Sequence, residues 1–269
     1  MDGNLKARLA TAAVGLPLLG WLVGWGPPWL FALTFFLLTM AALREYFTMV
    51  FGENSRAMGW GMLFGGAVAL TVLLVPAPEA ALWLSLLVII LFASVLVSQG
   101  PLAERLSRIS WTLLGGLYIG YLVPQIALLF ALPDGRAWVA FVLVVIMAGD
   151  SSAYFIGKHF GKRKLAPTLS PNKTVEGAVG YLFGSMVIGV AARSVLALPA
   201  GLIEVALLAL TLSVLGQIGD LFESLIKRAF TVKDAGELLP GHGGVLDRLD
   251  SLIFPVVLAT FYLKVVVAK

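Results

Sequence analysis

What this chain lacks excludes several chemistries. It has no cysteine among its 269 residues, so it can form no disulfide bond, thiolate nucleophile or zinc–cysteine site. Charged residues make up only 13% of it, about half the usual share of a soluble domain. No cleaved signal peptide is expected, because Lys6 and Arg8 precede an apolar run without a small-residue cleavage site. The first apolar run is therefore expected to remain as a membrane helix.

What the chain has in excess is apolar sequence. Hydrophobic residues reach 59% and the mean hydropathy is +0.96, values typical of a polytopic membrane protein. Runs of about 20 apolar residues are long enough to cross the hydrocarbon core as helices. We predict an all-α membrane protein with about nine such helices, at residues 10–23, 29–48, 59–75, 81–97, 111–131, 138–156, 175–195, 202–225 and 252–267.

The basic residues predict an orientation. With nine spans, fifteen of the 19 basic residues fall on the side of the N-terminus, and the other four are Arg136, Arg193, Lys264 and Lys269. Because lysine and arginine concentrate in cytoplasmic loops, we expect the N-terminus inside and the C-terminus outside. The long polar loops at 157–174 and 226–251 then face the cytoplasm, and the protein is expected in the inner, cytoplasmic membrane of the cell.

The two halves of the chain differ in where charge occurs. Residues 1–135 are short-looped apolar runs with sparse charge, apart from Arg44 and Glu45 at the end of the second run. We interpret that pair as an interfacial anchor, since long charged side chains reach the interface from helix ends. From Asp150 onward, ionisable residues enter the helices themselves. Within a single integrated membrane domain, 1–135 is predicted to be scaffold and 136–269 the catalytic region.

Two segments near residue 160 suit an anionic ligand. At helical spacing, Asp150, Tyr154 and Lys158 lie on one face, and an aspartate this close to a membrane span marks either a site or a neutralised ion pair. Further on, Ser170 followed by proline predicts a helix N-cap, where free backbone N–H groups bind anions. Asn172 and Lys173 would add side-chain donors there.

The eighth run carries a polar stripe. Asp220, Glu223, Ser224 and Lys227 recur at positions i, i+3, i+4 and i+7 and share one helix face. Such a stripe forms either an internal salt-bridge network or a metal site beside a phosphate. Asp247 and Asp250 are three residues apart and face one direction if the ninth helix begins there. These carboxylates suit Mg²⁺, which takes a few carboxylates with water and phosphate oxygens.

The segment 224–250, SLIKRAFTVKDAGELLPGHGGVLDRLD, concentrates charge and glycine between two apolar runs. A charged loop alone is most often a solvated connector. Here the charges continue back into the preceding helix, and the glycines would let backbone approach a ligand closely. Its basic groups suit phosphate oxygens.

The spacing S-x2-K-R-x4-K-D-x-G-x2-L-P-G-H-G-G-x2-D-R-x-D in that segment resembles the long signature of the phosphatidate cytidylyltransferases, also called CDP-diacylglycerol synthases. Two upstream patterns, D-x2-A-Y-x2-G-K-x2-G-K from Asp150 and S-P-N-K-T-x-E-G from Ser170, are also similar to that family. The resemblance covers the second half closely and the first half only in hydropathy.

The resemblance implies a membrane-embedded homodimer that joins CTP to phosphatidic acid with Mg²⁺, giving CDP-diacylglycerol and pyrophosphate. Membrane lipids are its expected surroundings, a second cation is an open possibility, and no nucleic acid partner is expected. The predicted catalytic residues are Asp220, Asp247, Lys227 and Arg228. The predicted substrate-binding residues are Asn172, Lys173, Ser224, Lys233, His242, Gly243, Gly244 and Arg248. The predicted metal ligands are Asp220 and Asp247, with Glu223, Asp250 and Asp150 as further candidates.

Three other functions share parts of this pattern. A CTP-dependent lipid or polyprenol kinase would use much the same polar chemistry and differ in which phosphorus is attacked. An ion-coupled transporter would also carry intramembrane carboxylates, but its sites usually lie near the bilayer midplane between related repeats. A non-catalytic lipid-binding scaffold would explain the basic loops and not the acidic stripe.

Overall fold

A computed structural model of the chain describes residues 3–52, 54–238, 241 and 243–267, and nearly all of its regular structure is helical. The helices of the first half, and the π-helical turn within them, are α1 (Gly3–Gly24), α2 (Pro28–Phe51), α3 (Ser55–Leu74), α4 (Ala77–Val97), α5 (Leu102–Gly115), the π segment Gly116–Tyr121 and α6 (Gln125–Ala131). The second half consists of α7 (Gly135–Phe160), β1 (Lys164–Ala166), β2 (Ser170–Thr174), α8 (Val175–Val195), α9 (Leu202–Ala229), α10 (Leu246–Tyr262) and the π segment Leu263–Val267.

The helices confirm a polytopic membrane protein. In the part of the chain that the structure describes, eight helical stretches are long and apolar enough to cross a membrane, and they coincide with the second to ninth predicted runs. The first predicted run, 10–23, lies in α1, where the apolar stretch Ala13–Gly24 is shorter than a full span. The count of nine spans therefore stays a prediction.

The chain forms two compact units. The first consists of Met1–Leu22, Gly26–Ala127 and Asp234–Asp247, and the second of Val23–Trp25, Leu128–Lys233 and Arg248–Lys269. The signature segment is thus divided, since residues 234–247 belong to the first unit. The assignment of a scaffold role to 1–135 and a catalytic role to 136–269 stays a prediction.

In the first unit, α3 packs against α2, α4 and the π segment that follows α5. Aromatic side chains of α2 are buried there, and the Tyr46 hydroxyl donates a hydrogen bond to the Trp111 carbonyl oxygen at 3.1 Å. Small residues allow close helix contact: a Cβ on Gly120 would lie 2.6 Å from the carbonyl oxygen of Gly65. Close packing of this kind matters in lipid, where apolar burial between helices gives little driving force.

In the second unit, α7 packs along α8, and both contact α9. Small residues again set the separation, because a Cβ on Gly149 would overlap the ring of buried Tyr181. A hydrogen bond also links α10 to the start of α9: the Tyr262 hydroxyl donates to Glu204 Oε1 at 2.5 Å. These contacts hold the face of α7 that carries Asp150 beside α8 and α9.

The predicted helix start at Ser170 is wrong. Residues Ser170–Thr174 form strand β2, which pairs antiparallel with β1, and α8 begins only at Val175. Thr174 is the N-cap, and its hydroxyl accepts a hydrogen bond from the Gly177 N–H at 3.1 Å. The pairing with β1 keeps the backbone at Ser170 and Pro171 extended, and this non-local contact outweighs their local capping preference.

Candidate active site

A cavity of about 490 Å³ lies within the second unit, among α7, the hairpin formed by β1 and β2, α8 and α9. The face of α7 that carries Asp150, Tyr154 and Lys158 lines it, which confirms that these three residues share one side of the helix. The remaining lining residues are Ala153, Gly157, Leu165, Asn172, Lys173, Thr174, Gly177, Ala178, Tyr181, Gln217, Asp220 and Leu221. Apolar and charged groups thus meet in one space, as a ligand with a phosphate and an apolar part requires.

The charged centre of this cavity is an ion pair between Lys173, near the end of β2, and Asp220 of α9. Their side chains are 28% and 29% exposed, so both remain accessible from the cavity. The pair balances its own charge without a ligand. A bound phosphate would replace Asp220 as the partner of Lys173, and a bound cation would replace Lys173 as the partner of Asp220.

Further along the α9 stripe, Glu223 and Lys227 form a second ion pair, one helical turn apart. Glu223 is completely buried, and Ser224 and Lys227 are nearly so. A buried carboxylate is costly without a partner, and Lys227 provides one. The polar residues of α9 therefore have two different surroundings. Asp220 faces the cavity, whereas Glu223 and Lys227 form an internal salt bridge, one of the two arrangements that the sequence allows.

Arg228 connects α9 to the hairpin. Its guanidinium donates to the carbonyl oxygens of Leu169 at 3.2 Å and Val232 at 3.0 Å. Just before β1, the backbone N–H groups of Lys162 and Arg163 donate hydrogen bonds to Glu176, at 2.9 Å and 3.2 Å. These contacts fix the strand that carries Asn172 and Lys173.

The turn at residues 243–247 lies in the first unit and includes the first two residues of α10, which begins at Leu246. Asp247 Oδ2 accepts two backbone hydrogen bonds, from Gly244 at 2.8 Å and Ala235 at 3.0 Å. Gly243 has φ +78°, a left-handed conformation that glycine adopts without strain. The helix begins at Leu246, as the predicted start near Asp247 requires.

Glu45 of α2 contacts this turn, a contact that the sequence does not predict. The sequence predicts an interfacial anchor for Arg44 and Glu45 together, and Arg44 is exposed. Glu45 is only 8% exposed, and its carboxylate accepts hydrogen bonds from the backbone N–H groups of Val245 and Leu246, each at 2.9 Å. The anchor interpretation is therefore wrong for Glu45. The only signal in the sequence is an acidic residue next to Arg44 in a helix without other charged residues.

The remaining predicted site residues differ in how far they are exposed. Lys233 and Arg248 are exposed, and Asn172 is exposed at the cavity. Asp250 is buried and accepts hydrogen bonds from Ser251, through the backbone N–H at 2.6 Å and the hydroxyl at 3.0 Å. His242 lies outside the described residues.

The donor set of the second unit fits a hard divalent cation. Asp150 and Asp220 line the same cavity, and both carry carboxylate oxygens. Among the described residues, no group of three or more histidine, cysteine, aspartate or glutamate side chains has the spacing of a complete metal site. Mg²⁺ does not require one, because it usually takes one or two carboxylates and completes its shell with water and phosphate oxygens.

The helices and the cavity together show what class of protein this is. Eight apolar helices of spanning length in the described residues, with a cavity lined in part by carboxylate and ammonium groups, describe an integral membrane protein with a charged cavity.

Comparison with known proteins shows the family within that class of membrane proteins. The model of the cytidylyltransferase family matches residues 6–266. The chain is 37% identical to the phosphatidate cytidylyltransferase of Brucella abortus over 254 residues, which cover 93% of this chain and 90% of the relative. It is 34% identical to that of Staphylococcus haemolyticus over 260 residues, 93% of this chain and 95% of the relative. A shorter alignment, 120 residues at 51% identity, spans 45% of this chain and 45% of the Bacillus subtilis phosphatidate cytidylyltransferase. The chain belongs to the cytidylyltransferase family.

Proposed function

We propose that this protein transfers the cytidylyl group of CTP to phosphatidic acid, giving CDP-diacylglycerol and pyrophosphate in phospholipid biosynthesis. The observation that carries the proposal is a cavity with a cation–carboxylate pair, Lys173 and Asp220, in a membrane chain of the cytidylyltransferase family. The relatives that match over nearly the whole chain are named for this activity. They do not favour the kinase alternative.

The reaction needs no nucleophile from the protein. A phosphate oxygen of phosphatidic acid forms a bond to the α-phosphorus of CTP, the bond from that phosphorus to the bridging oxygen of the β-phosphate breaks, and pyrophosphate leaves with the electron pair. Phosphatidate is already ionised near neutral pH, so no general base is required. Catalysis then consists of positioning and charge neutralisation.

The basic residues have distinct proposed roles. Lys173 lines the cavity and would exchange Asp220 for a phosphate oxygen, beside the amide of Asn172. Lys227 and Arg228 are already engaged with Glu223 and with backbone carbonyls, so any phosphate contact they make would add to these bonds. The exposed Lys233 and Arg248 are proposed to neutralise the triphosphate. Ser224, His242, Gly243 and Gly244 remain proposed substrate contacts from the signature.

Mg²⁺ is the proposed cofactor, with Asp220 and Asp247 as its ligands on the basis of the signature. When bound, the cation would neutralise phosphate charge and hold the nucleotide in place. Asp150 and Asp250 are further candidates, and the buried pairing of Glu223 with Lys227 makes Glu223 the weakest of the set.

The orientation is also proposed: N-terminus and active-site loops in the cytoplasm, in the inner membrane, as the distribution of basic residues favours. The chain has no cysteine, so single cysteines at Lys164 and Lys233 can be labelled selectively. Both are expected to react with an impermeant maleimide only from the cytoplasmic side. Labelling from opposite sides would contradict the orientation. Homodimer formation, proposed from the family resemblance, is checked by the mass of the protein in detergent.

The activity is tested with purified full-length protein in detergent, CTP, phosphatidic acid and Mg²⁺. We expect equal amounts of pyrophosphate and CDP-diacylglycerol, and neither product without phosphatidic acid. Turnover that yields CDP and a newly phosphorylated lipid would replace the proposal with the kinase function.

A further inference from the structure

Glu45 is a buried carboxylate with a partner 200 residues away in sequence. It lies in α2 and is 8% exposed. Its Oε1 accepts the N–H of Val245 and its Oε2 accepts the N–H of Leu246, both at 2.9 Å. The first N–H groups of a helix have no partner within that helix, and a negative charge there is favoured by the helix dipole. Glu45 thus caps α10 from a distant part of the chain.

Two glycines of the signature segment make room for this carboxylate. A Cβ on Gly236 would lie 2.7 Å from Cδ of Glu45, and a Cβ on Gly244 would lie 2.6 Å from Oε2. Contacts this short require one of the groups to move. The glycines at these positions are therefore explained by packing against Glu45, in addition to any approach of a ligand.

The same short stretch of backbone carries Asp247. The Gly244 N–H donates to Asp247 Oδ2 at 2.8 Å, and the next two N–H groups donate to Glu45. Three successive N–H groups are thus held by two carboxylates. A shift of the backbone at Val245 and Leu246 would change the direction of the Asp247 side chain.

We propose that Glu45 is a positioning residue, which fixes the 243–247 turn and thereby the orientation of the Asp247 side chain, a proposed Mg²⁺ ligand. This inference rests on the proposed function, in which Asp247 is a Mg²⁺ ligand. The expected effect of losing Glu45 is weaker cation binding, because partners that orient metal ligands typically change metal affinity by about 10- to 100-fold.

The test compares Mn²⁺ binding, measured by electron paramagnetic resonance on purified full-length protein, with the Mg²⁺ concentration for half-maximal turnover. Glu45→Gln nearly preserves shape, but its amide nitrogen cannot accept one of the two N–H groups. Glu204→Gln is the matched control, since Glu204 also accepts a backbone N–H at a helix start, from Gly201 at 3.0 Å. Asp247→Asn and the double variant complete the cycle, and thermal unfolding is followed in all of them.

We expect Glu45→Gln to raise the Mn²⁺ dissociation constant about 10-fold and to raise the half-maximal Mg²⁺ concentration in parallel, with Glu204→Gln unchanged in both. In the Asp247→Asn background, Glu45→Gln should add little, because interacting residues are non-additive. If Glu45→Gln does not fold, Gly236→Ala replaces it, since the added methyl group pushes on the Glu45 carboxylate.

Three results would overturn the inference. If Asp247→Asn weakens Mn²⁺ binding and Glu45→Gln does not, Glu45 only stabilises the fold and the proposed function stands. Full additivity of the two substitutions would mean that Glu45 does not act through Asp247. If Asp247→Asn leaves Mn²⁺ binding unchanged, the metal role of Asp247 in the proposed function fails, and the inference fails with it.

Discussion

The cavity of the second unit and the 243–247 turn of the first satisfy their carboxylates in different ways. In the cavity, Asp220 is held by an ammonium group, that of Lys173. In the turn, Asp247 and Glu45 are held by backbone N–H groups. An ammonium group can be exchanged for a ligand without moving the backbone, whereas N–H groups of a turn cannot. Charge in the cavity is therefore available to substrates, and charge in the turn maintains shape as well.

Asp220→Asn is expected to have the largest effect on turnover. The substitution removes the negative charge of a proposed metal ligand while nearly preserving its shape. Loss of a residue that only supports a metal ligand typically costs about 10- to 100-fold, so loss of the ligand itself should lower activity by roughly 100-fold or more. Stability should change little, since a partly exposed ion pair contributes only about 0–1 kcal/mol. The measurements are turnover across a Mg²⁺ titration and thermal unfolding. Asp134→Asn, an exposed aspartate at the start of α7, is the control. Near-normal turnover at low Mg²⁺ would return Asp220 to a structural role.

Asp247→Asn tests whether the carboxylate of the 243–247 turn, unlike that of Asp220 in the cavity, also stabilises the fold. Activity should again fall by roughly 10- to 100-fold, but here the melting temperature should fall as well. Hydrogen bonds to charged groups contribute about 1.5–3 kcal/mol, and each kcal/mol corresponds to roughly 2–4 °C for a protein of this size. Thermal unfolding of both aspartate variants in the same detergent checks this. Equal melting temperatures would mean that the turn does not depend on the charge of Asp247.

Lys173→Met tests whether the cavity cation is exchangeable. Its loss removes charge-assisted hydrogen bonds to phosphate, so the KM for CTP should rise by about 10-fold or more. Lys164→Met is the control, because Lys164 is an exposed lysine of β1 outside the cavity lining and the family patterns. An unchanged KM for CTP in Lys173→Met would show that Lys173 serves only to neutralise Asp220.

Thr174→Ala should give the smallest change. The variant loses the N-cap of α8, which typically costs about 1 kcal/mol, so the melting temperature should fall by a few degrees. Thr174→Ser keeps the hydroxyl and should restore most of the loss. A fall of equal size in both variants would show that the methyl group of Thr174, and not the cap, stabilises this helix start.

Local patterns in the sequence predicted a large part of this structure. Hydropathy located eight of the spans, and helical spacing placed Asp150, Tyr154 and Lys158 on one face of α7. The same spacing placed Glu223 and Lys227 within reach of each other on α9. Each of these results depends on residues close together in the chain, where periodicity is informative.

What the sequence did not reveal depends on contacts between distant segments. Ser170 and Pro171 have the residue types of a helix start, and only the pairing with β1 makes them a strand. Glu45 looks like an interfacial residue until its partners at Val245 and Leu246 are known. No period or local motif encodes such a contact, so a single sequence cannot distinguish a lipid-facing charge from a buried cap.

The cytidylyl-transfer reaction is tested by following the phosphorus atoms of CTP. Purified protein is given phosphatidic acid, Mg²⁺ and CTP labelled either at the α- or at the γ-phosphorus. Attack at the α-phosphorus puts the α label into the lipid and the γ label into pyrophosphate, and we expect this distribution. A lipid that carries the γ label, with the α label released as CDP, would contradict it.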